Sequence, residues 1–357
     1  MIVKAKAPAR ILDFGGWTDT WFAEHGLVLN FAVNMYAKVV VVPRERPGAG
    51  IVALDYGETV EIGGNKGEVL YDGKHDLLKA ALRVMNVDGV DISVYSDVPP
   101  GCGTGSSAAV SVALIGALAT MADLYLTPHE IAALAHKLET EELGIQSGVQ
   151  DQIASAHGGI GYHRITKYPS VSSSPVRLSH TLCLELESRL LVVYTGKAHL
   201  SGEVHEKVIS DYQSGAERTV QAISTLRETA NLAKNALMRG DFVELGEIMN
   251  LNTTAQKQLH PGITTEEIEK LEEIGRREGI LGFKINGAGG GGSVTMLTGS
   301  TNLRAVESAV KEAGFMILPC HLDFGGLRIW MTERDGRGNR PIRRVSPELD
   351  NLLSNLG

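Results

Sequence analysis

The sequence predicts a globular protein of mixed helices and strands, organised in about two domains. Its 357 residues fit two domains at roughly 150 residues each. The apolar fraction of 43% and the charged fraction of 21% are those of an ordinary globular chain. Segments in which apolar residues alternate, as in strands, are interleaved with amphipathic helical segments along the chain.

Charge, cysteine content and hydropathy exclude several classes of protein. The formal net charge of -8 argues against a protein that binds nucleic acid by neutralising phosphates. Cys102, Cys183 and Cys320 lie far apart and form no CxxC pattern, which favours a reducing compartment. The N-terminus lacks an apolar signal-peptide core, and the apolar stretch 108–119 is too short to cross a bilayer. We therefore expect a cytoplasmic protein with no nucleic-acid or membrane partner. A homodimer is left open.

The first predicted strand leads into a glycine turn and an aspartate. Residues 1–9 alternate apolar and basic side chains, and a bend at Gly15 and Gly16 follows shortly afterwards. Asp19 comes three residues after the bend. Two glycines before a carboxylate at a strand end would place Asp19 in a cleft, whereas a solvated turn aspartate is the commoner alternative.

The segment 99–118, PPGCGTGSSAAVSVALIGAL, has the features of an anion-binding loop. The prolines hold the chain extended, and the glycines allow the backbone to approach a ligand closely. The uncharged apolar run that follows predicts a buried helix. Free N–H groups and the positive end of the helix dipole meet at its start, which favours the phosphate chain of a nucleotide. A simple turn with an N-cap is the alternative. The P-loop pattern GxxxxGK[ST] is absent, so a cation must come from elsewhere.

Two acidic segments follow this loop. A capping box at 127–130 predicts a helix that ends near Gly144. Glu139 and two further glutamates lie in its last turns, where they oppose the helix dipole; they either hold a cation or form a solvated acidic face. In the segment 148–154, Asp151 is either a helix cap or a partly desolvated carboxylate that accepts a proton.

The second half of the chain begins after a Pro/Ser-rich stretch, 168–180, which predicts a crossing between domains or a long surface loop. Residues 199–279 are mainly helical in pattern, with a second capping box at 264–267. The run GAGGGG, 287–292, formally fits GxGxxG. We reject dinucleotide binding, because the residues that follow alternate like a strand and open no helix. Glycines between two strands instead permit close backbone approach to a loop or ligand.

Three motifs stand in fixed order: PAR with GGWTD in 8–19, the loop in 99–108, and the glycines of 287–292. This arrangement resembles the GHMP kinase superfamily of galactokinase, homoserine kinase, mevalonate kinase and phosphomevalonate kinase. The match spans nearly the whole chain. Within the superfamily, residues 15–30 and 142–159 look most like the sugar and sugar-phosphate kinases, particularly the D-glycero-D-manno-heptose kinases.

The resemblance implies an α+β fold with two domains. Residues 1–180 would form an N-terminal domain like the second domain of ribosomal protein S5, and residues 181–357 a ferredoxin-like C-terminal domain. The site would lie between them, with ATP as phosphoryl donor and Mg²⁺ as bridging ion.

The resemblance also implies a role for each site residue. Asp151 would be the catalytic base, oriented by Arg10, and Asp19 would bind hydroxyls of the sugar. Ser107 and Glu139 would hold Mg²⁺. The ATP phosphates would lie on a loop of eight residues: Pro100, Gly101, Cys102, Gly103, Thr104, Gly105, Ser106 and Ser107. Five further residues would assist at the substrate: the backbone of Gly16, Trp17 and Thr18, and the third glycine run with Gly287 and Gly289, which would buttress the phosphate loop. Thr104 departs from the Leu usual at its position.

The predicted function is an ATP-dependent sugar or sugar-phosphate kinase, with a heptose or heptose phosphate as the expected acceptor. Two alternatives remain open. One is another small-molecule kinase of the superfamily, for galactose, a uronic acid, arabinose or mevalonate. The other is a catalytically silent sensor of sugar or nucleotide.

Overall fold

The computed structural model describes residues 1–55, 57–63, 71–197 and 202–332. The strands in these ranges are β1 (Ile2–Phe14), β2 (Gly26–Pro43), β3 (Ala49–Ala53), β4 (Glu58–Ile62), β5 (Val90–Ser96), β6 (Ile160–Lys167), β7 (Ser170–Pro175), β8 (Leu190–Tyr194), β9 (Gly282–Ile285), β10 (Ser293–Leu297), β11 (Met316–Leu318) and β12 (Arg328–Thr332). The α-helices are α1 (Asp76–Val84), α2 (Ser106–Met121), α3 (Pro128–Lys137), α4 (Gln150–His157), α5 (His180–Glu187), α6 (Gly202–Gln213), α7 (Glu217–Arg239), α8 (Phe242–Leu259), α9 (Glu266–Arg277) and α10 (Leu303–Glu312). Short 3-10 helices span Trp21–Ala23 and Pro261–Ile263, and a π-helix spans Leu138–Glu142.

The strands form two sheets. The first has eight strands in the order β12-β1-β2-β5-β3-β4, with β6 also paired to β2 and β7 paired to β6. The long strand β2 makes both connections, because residues 37–43 pair with β5 and residues 26–31 pair with β6. The second sheet has the order β11-β8-β10-β9. Strand β12 follows the second sheet in the chain but lies in the first sheet, beside β1. The domain boundary at residue 180 stays a prediction.

Helix α2 is the buried centre of the N-terminal half. It carries no charged residue, and the side chains of Val112, Ile115 and Leu118 are fully buried in the core that it shares with the first sheet. A helix that is apolar on every side must be covered on every side. The predicted buried helix after the glycine loop is therefore confirmed.

A second apolar core joins the two halves of the chain. Ile11 and Phe14 of β1 pack in it with Leu245 of α8. Helix α7 contributes a stripe of small side chains to this core, and Ala230 is one of them. A Cβ added at Gly15 would lie 3.1 Å from the Ala230 Cβ. This close approach brings the turn after β1 against the C-terminal helices.

Three local predictions need correction. The Pro/Ser-rich stretch 168–180 is not only a loop, because β7 within it pairs with the edge of β6 that faces away from β2. The capping box at Thr127 and the helix end near Gly144 are confirmed, but the last turn, Leu138–Glu142, is a π-helix instead of an α-helix. At 264–267 the N-cap is Thr265, whose hydroxyl accepts from the Ile268 N–H. The third residue after this cap is apolar and cannot return a hydrogen bond, so there is no capping box.

Candidate active site

The centre of the site is a partly buried ion pair between β1 and α4. The Arg10 guanidinium donates from Nε to Asp151 Oδ1 at 2.8 Å and from a terminal nitrogen to Oδ2 at 3.1 Å. Another Arg10 nitrogen donates to the carbonyl of Gly103, and the Arg10 N–H donates to the carbonyl of Thr104 at 2.9 Å. Arg10 is 4% exposed. The bidentate geometry fixes the orientation of the Asp151 carboxylate.

The electrostatic field around Arg10 keeps it charged. Burial acts against its charge, but the carboxylates of Asp151, Asp13 and Asp19 outweigh burial and hold the pKa of Arg10 above its ordinary value. The guanidinium is therefore a permanent cation in a site where several carboxylates meet.

The first glycine loop lies against Asp151. Gly101, Gly103 and Gly105 have φ of +68°, +73° and +67°, in the left-handed region that favours glycine. Gly105 is the N-cap of α2, and a Cβ there would lie 3.1 Å from the Asp151 Cγ. The first N–H groups of α2, which have no partner within the helix, thus begin beside the carboxylate. Ser106 is half-buried and Ser107 is exposed.

The third glycine run lies behind this loop. A Cβ added at Gly287 would lie 2.7 Å from the Gly103 carbonyl oxygen, and one at Gly292 would lie 2.7 Å from the Cys102 carbonyl oxygen. Gly289 lies elsewhere, because its Cβ would meet the Cγ2 of Ile263 at 2.7 Å. Gly287 and Gly292 therefore back the first loop, while Gly289 packs within the C-terminal half.

Glu139 is a buried carboxylate near the start of α2. It accepts hydrogen bonds from Ser111 Oγ at 2.8 Å and from Gln152 Nε2 at 2.9 Å. Ser111 lies one turn after Ser107 and donates to its carbonyl at 3.1 Å. Burial, with a smaller contribution from the charge of Asp151, raises the pKa of Glu139 to about 7.

The surroundings of Glu139 suit a magnesium ion. Within the described ranges Glu139 has no basic partner, and no three His, Cys, Asp or Glu side chains form a metal cluster. Mg²⁺ takes hard oxygen ligands and commonly uses one or two protein groups together with substrate phosphates. Glu139 is a buried carboxylate without a counter-charge, and its partner Ser111 lies one helical turn from the exposed Ser107. These two oxygen-bearing side chains, Glu139 and Ser107, fit that ligand set.

Asp19 occupies a second buried acidic position. Its Oδ2 accepts from the Gln150 N–H at 3.1 Å, and its Oδ1 accepts from Gln150 Nε2 at 3.3 Å. A Cβ at Gly148 would lie only 2.0 Å from Oδ2, so the carboxylate lies directly on that glycine. Burial, and then the Asp151 charge, raises the pKa of Asp19 to about 6. The structure thus brings Asp19, Asp151 and Arg10 into one electrostatic cluster.

The turn that carries Asp19 is anchored on both sides. A Cβ at Gly16 would lie 2.7 Å from Asp13 Oδ2, and Thr18 Oγ1 donates to the Gly15 carbonyl at 2.7 Å. The Trp17 side chain points into the core of the C-terminal half and lies 4.6 Å from the His205 ring. The side chains of this turn therefore hold it in place beside the buried carboxylate of Asp19.

Sequence reasoning missed the buried pair of Asp13 and Lys284. Lys284 Nζ lies 3.4 Å from Asp13 Oδ1, which also accepts the Gly287 N–H at 3.1 Å. Burial lowers the pKa of Lys284. The signal was available, because each residue places a charge inside an otherwise apolar strand pattern. No signal in the sequence indicated that the two residues pair with each other, because 271 residues separate them.

No helix among residues 1–55, 57–63, 71–197 and 202–332 is long and apolar enough to cross a membrane.

Comparison with known proteins identifies the fold and its class. Family models of the GHMP kinases match residues 75–159 (N-terminal domain) and 233–315 (C-terminal domain). The D-glycero-alpha-D-manno-heptose 7-phosphate kinase of Campylobacter jejuni is 28% identical over 332 residues, 88% of this chain and 95% of that protein. The mevalonate kinase of Thermococcus sibiricus is 31% identical over 352 residues, 92% of this chain and 98% of that protein. A crystal structure of a D-glycero-D-manno-heptose 1-phosphate kinase from B. thetaiotaomicron has a TM-score of 0.77 at 23% identity, covering 93% of this chain and 100% of that chain.

The protein is a phosphotransferase with an alcohol group as acceptor. It belongs to the GHMP kinase family. The identity of 31% to the Thermococcus protein over 92% of this chain shows this membership, and the two family models agree. The predicted α+β fold of two domains is confirmed by the same family models and by the structural match.

Proposed function

We propose that this protein is an ATP-dependent kinase for a sugar or sugar phosphate, with a heptose or heptose phosphate as the first candidate acceptor. One observation carries the proposal. A carboxylate, Asp151, is fixed by Arg10 beside a glycine loop at a helix N-terminus and next to a second buried carboxylate, Asp19. This arrangement supplies a base, an anion-binding loop and a partner for hydroxyl groups within one site.

The chemistry follows from these positions. A hydroxyl oxygen of the acceptor attacks the γ-phosphorus of ATP, a new P–O bond forms, and the bond to the β,γ-bridging oxygen breaks to release ADP. Asp151 accepts the hydroxyl proton, and Arg10 holds its carboxylate in the required orientation. The first N–H groups of α2 and the loop 101–107 stabilise the negative charge of the phosphates.

Ser107 and Glu139 are the residues that would hold Mg²⁺. The ion would neutralise charge on the ATP phosphates and make the γ-phosphorus more electrophilic. Its presence would also provide the counter-charge that the buried Glu139 lacks among the described residues.

The acceptor proposal rests on Asp19. An ionised carboxylate only accepts hydrogen bonds, so it binds groups that donate them, such as the hydroxyls of a sugar. A carboxylate of an acceptor such as mevalonate would be repelled there, because Asp19 and Asp151 already interact as like charges. The heptose kinase relatives support this choice, whereas the mevalonate kinase relative keeps the mevalonate type as the second candidate.

We also propose a cytoplasmic location. All three cysteines, Cys102, Cys183 and Cys320, are free thiols, as is usual in a reducing compartment.

An acceptor screen tests the function. ADP release is measured with ATP, Mg²⁺ and a panel of free and phosphorylated hexoses and heptoses, galactose, arabinose, uronic acids and mevalonate. We expect turnover with a sugar or sugar phosphate, and NMR of the product then identifies the phosphorylated carbon. Turnover with mevalonate alone would replace the sugar assignment. Binding of ATP without turnover on any acceptor would favour the sensor.

A further inference from the structure

A row of buried polar side chains leads away from Asp19 into the first sheet. It consists of Gln150 at the start of α4, Asn30 on β2 and His163 on β6, and it ends at Ser173 on β7. Gln150 is 5% exposed, and Asn30 and His163 are 1% exposed each. Buried polar groups of this kind are retained only when each finds a partner.

Consecutive members of the row are within hydrogen-bond distance. Gln150 Nε2 is 3.3 Å from Asp19 Oδ1. Asn30 Nδ2 is 3.4 Å from both Gln150 Oε1 and the Gln150 main-chain carbonyl oxygen. His163 Nε2 is 3.0 Å from Asn30 Oδ1, and His163 Nδ1 is 2.8 Å from Ser173 Oγ. Space for the imidazole beside β6 requires a glycine, because a Cβ at Gly161 would lie 2.4 Å from His163 Nε2.

The direction of every bond follows from the carboxylate at the end of the row. Ionised Asp19 can only accept, so the Gln150 amide turns its NH₂ towards Asp19 and its oxygen towards Asn30. Asn30 must then donate to Gln150 and accept from His163.

The same logic fixes the state of the imidazole. His163 carries its proton on Nε2, and Nδ1 accepts from the Ser173 hydroxyl. Burial lowers the pKa of His163 to about 3, with a smaller effect from His157. The ring is therefore neutral, as the row requires.

We propose that His163, Asn30 and Gln150 are positioning residues that orient the Asp19 carboxylate towards the acceptor hydroxyls through one directed chain of hydrogen bonds. The chain fixes which end of the Gln150 amide meets Asp19 Oδ1, and so fixes the direction in which the remaining lone pairs of the carboxylate face the acceptor. This inference rests on the proposed function, in which Asp19 contacts the acceptor and ATP binds at the separate loop 101–107.

Steady-state kinetics with the best acceptor test the chain. Asn30→Asp replaces the donor to Gln150 by an acceptor, which competes with Asp19 for the Gln150 NH₂. His163→Leu removes the donor to Asn30 Oδ1, so the Asn30 amide is no longer fixed from that side. We expect the acceptor KM to rise about tenfold in both variants, while the ATP KM changes less than about twofold. His163→Gln, whose NH₂ can replace Nε2–H, should recover most of what His163→Leu loses.

A matched control separates positioning from general damage. Thr253→Val deletes a buried hydroxyl of α8 that donates to the Phe283 carbonyl on β9 at 2.7 Å. It removes one buried hydrogen bond without touching the row. Equal changes of both KM values in Asn30→Asp and His163→Leu, or the same acceptor effect in Thr253→Val, would overturn the proposal.

A measurement without substrate tests the chain of hydrogen bonds separately from the kinase assignment. Long-range ¹H–¹⁵N NMR of the ¹⁵N-labelled full chain at pH 7 reports the tautomer of His163, assigned by the loss of its signals in His163→Gln. A neutral ring protonated on Nε2 supports the chain, and a ring protonated on Nδ1 or on both nitrogens refutes it. Failure of the wild-type protein to phosphorylate any acceptor would refute the function and leave the tautomer result standing.

Discussion

At the scale of single residues, the site depends on carboxylates whose surroundings differ. Asp151 is held by a permanent cation, Glu139 is buried among neutral donors, and Asp19 lies on a glycine backbone beside another acid. Neighbouring carboxylates in one site can take different roles because their different surroundings shift their pKa values apart. We therefore make separate predictions for Asp151 and for Glu139.

Replacing the proposed base should abolish most turnover. Asp151→Asn keeps the shape of the side chain but cannot take up the hydroxyl proton, so we expect kcat to fall about 10²- to 10⁴-fold. Asp97→Asn is the control, because it removes the same charge from an exposed pair with Lys38. Full turnover in Asp151→Asn, measured as ADP release, would remove Asp151 as the base.

Glu139 should make the ligand-free protein less stable as the pH rises. Its pKa is raised by burial to about 7 from an ordinary value of 4.5, so the folded state binds its proton more tightly than the unfolded state. The stabilisation is complete below pH 4.5 and is lost as the pH rises to about 7, by about 3 kcal/mol at most.

Thermal unfolding between pH 5 and 8 checks this expectation. Glu139→Gln should flatten the decline that the wild-type protein shows, and Glu141→Gln, at an exposed position, should not. Identical pH profiles for wild type and Glu139→Gln would contradict the burial argument.

At the scale of elements, two glycine-rich loops from distant parts of the chain share one packed interface. The loop before α2 and the loop between β9 and β10 approach so closely that a single methyl group at either would meet backbone. Backbone cannot move aside as a flexible side chain can, so the fit depends on glycine itself.

Gly292→Ala should therefore weaken ATP binding. Its Cβ would lie 2.7 Å from the Cys102 carbonyl oxygen, at φ +80°, and would push the second loop away from the first. We expect the ATP KM to rise about tenfold and the free energy of unfolding to fall by about 1–3 kcal/mol. Gly215→Ala is the control, since it has φ +75° but no atom within 4 Å of the added methyl group. Similar ATP KM values in the two variants would show that backbone strain, rather than the loop contact, matters.

At the scale of the whole molecule, the two halves are joined by the apolar core around β1 and by the buried Asp13–Lys284 pair. The pair connects the end of β1 to β9, and its aspartate also accepts the N–H of Gly287. A charge buried to this extent is tolerated only with its partner present.

Removing one member of the pair should destabilise the protein strongly. Lys284→Met leaves Asp13 buried without a counter-charge, and we expect the free energy of unfolding in urea to fall by about 3–5 kcal/mol. The double variant Asp13→Leu with Lys284→Met should lose less than the sum of the two single variants. Additive losses would mean that the two side chains do not interact.

Local patterns predicted the parts of the molecule that local chemistry determines. The prolines, glycines and uncharged run of 99–118 were sufficient to predict the loop and buried helix, and Thr127 with Glu130 to predict a helix start. The pairing of Arg10 with Asp151 came from the family resemblance. The roles of Asn30 and His163 could not be predicted, because they depend on the register in which β2 pairs with β6. The strand β7 was missed in the stretch 168–180, which was predicted as a domain crossing or a long surface loop, because an edge strand needs only a neighbour with free backbone groups.

The return of β12 to β1 has a consequence for how the protein is made. Residues 2–6 are synthesised well before the strand that completes their side of the sheet, 328–332, because most of the described chain lies between the two. During synthesis the sheet has an open flank until that late segment arrives, and unpaired flanks are where nascent chains stick to one another. The first sheet thus stays incomplete on this flank until residues 328–332 have been synthesised.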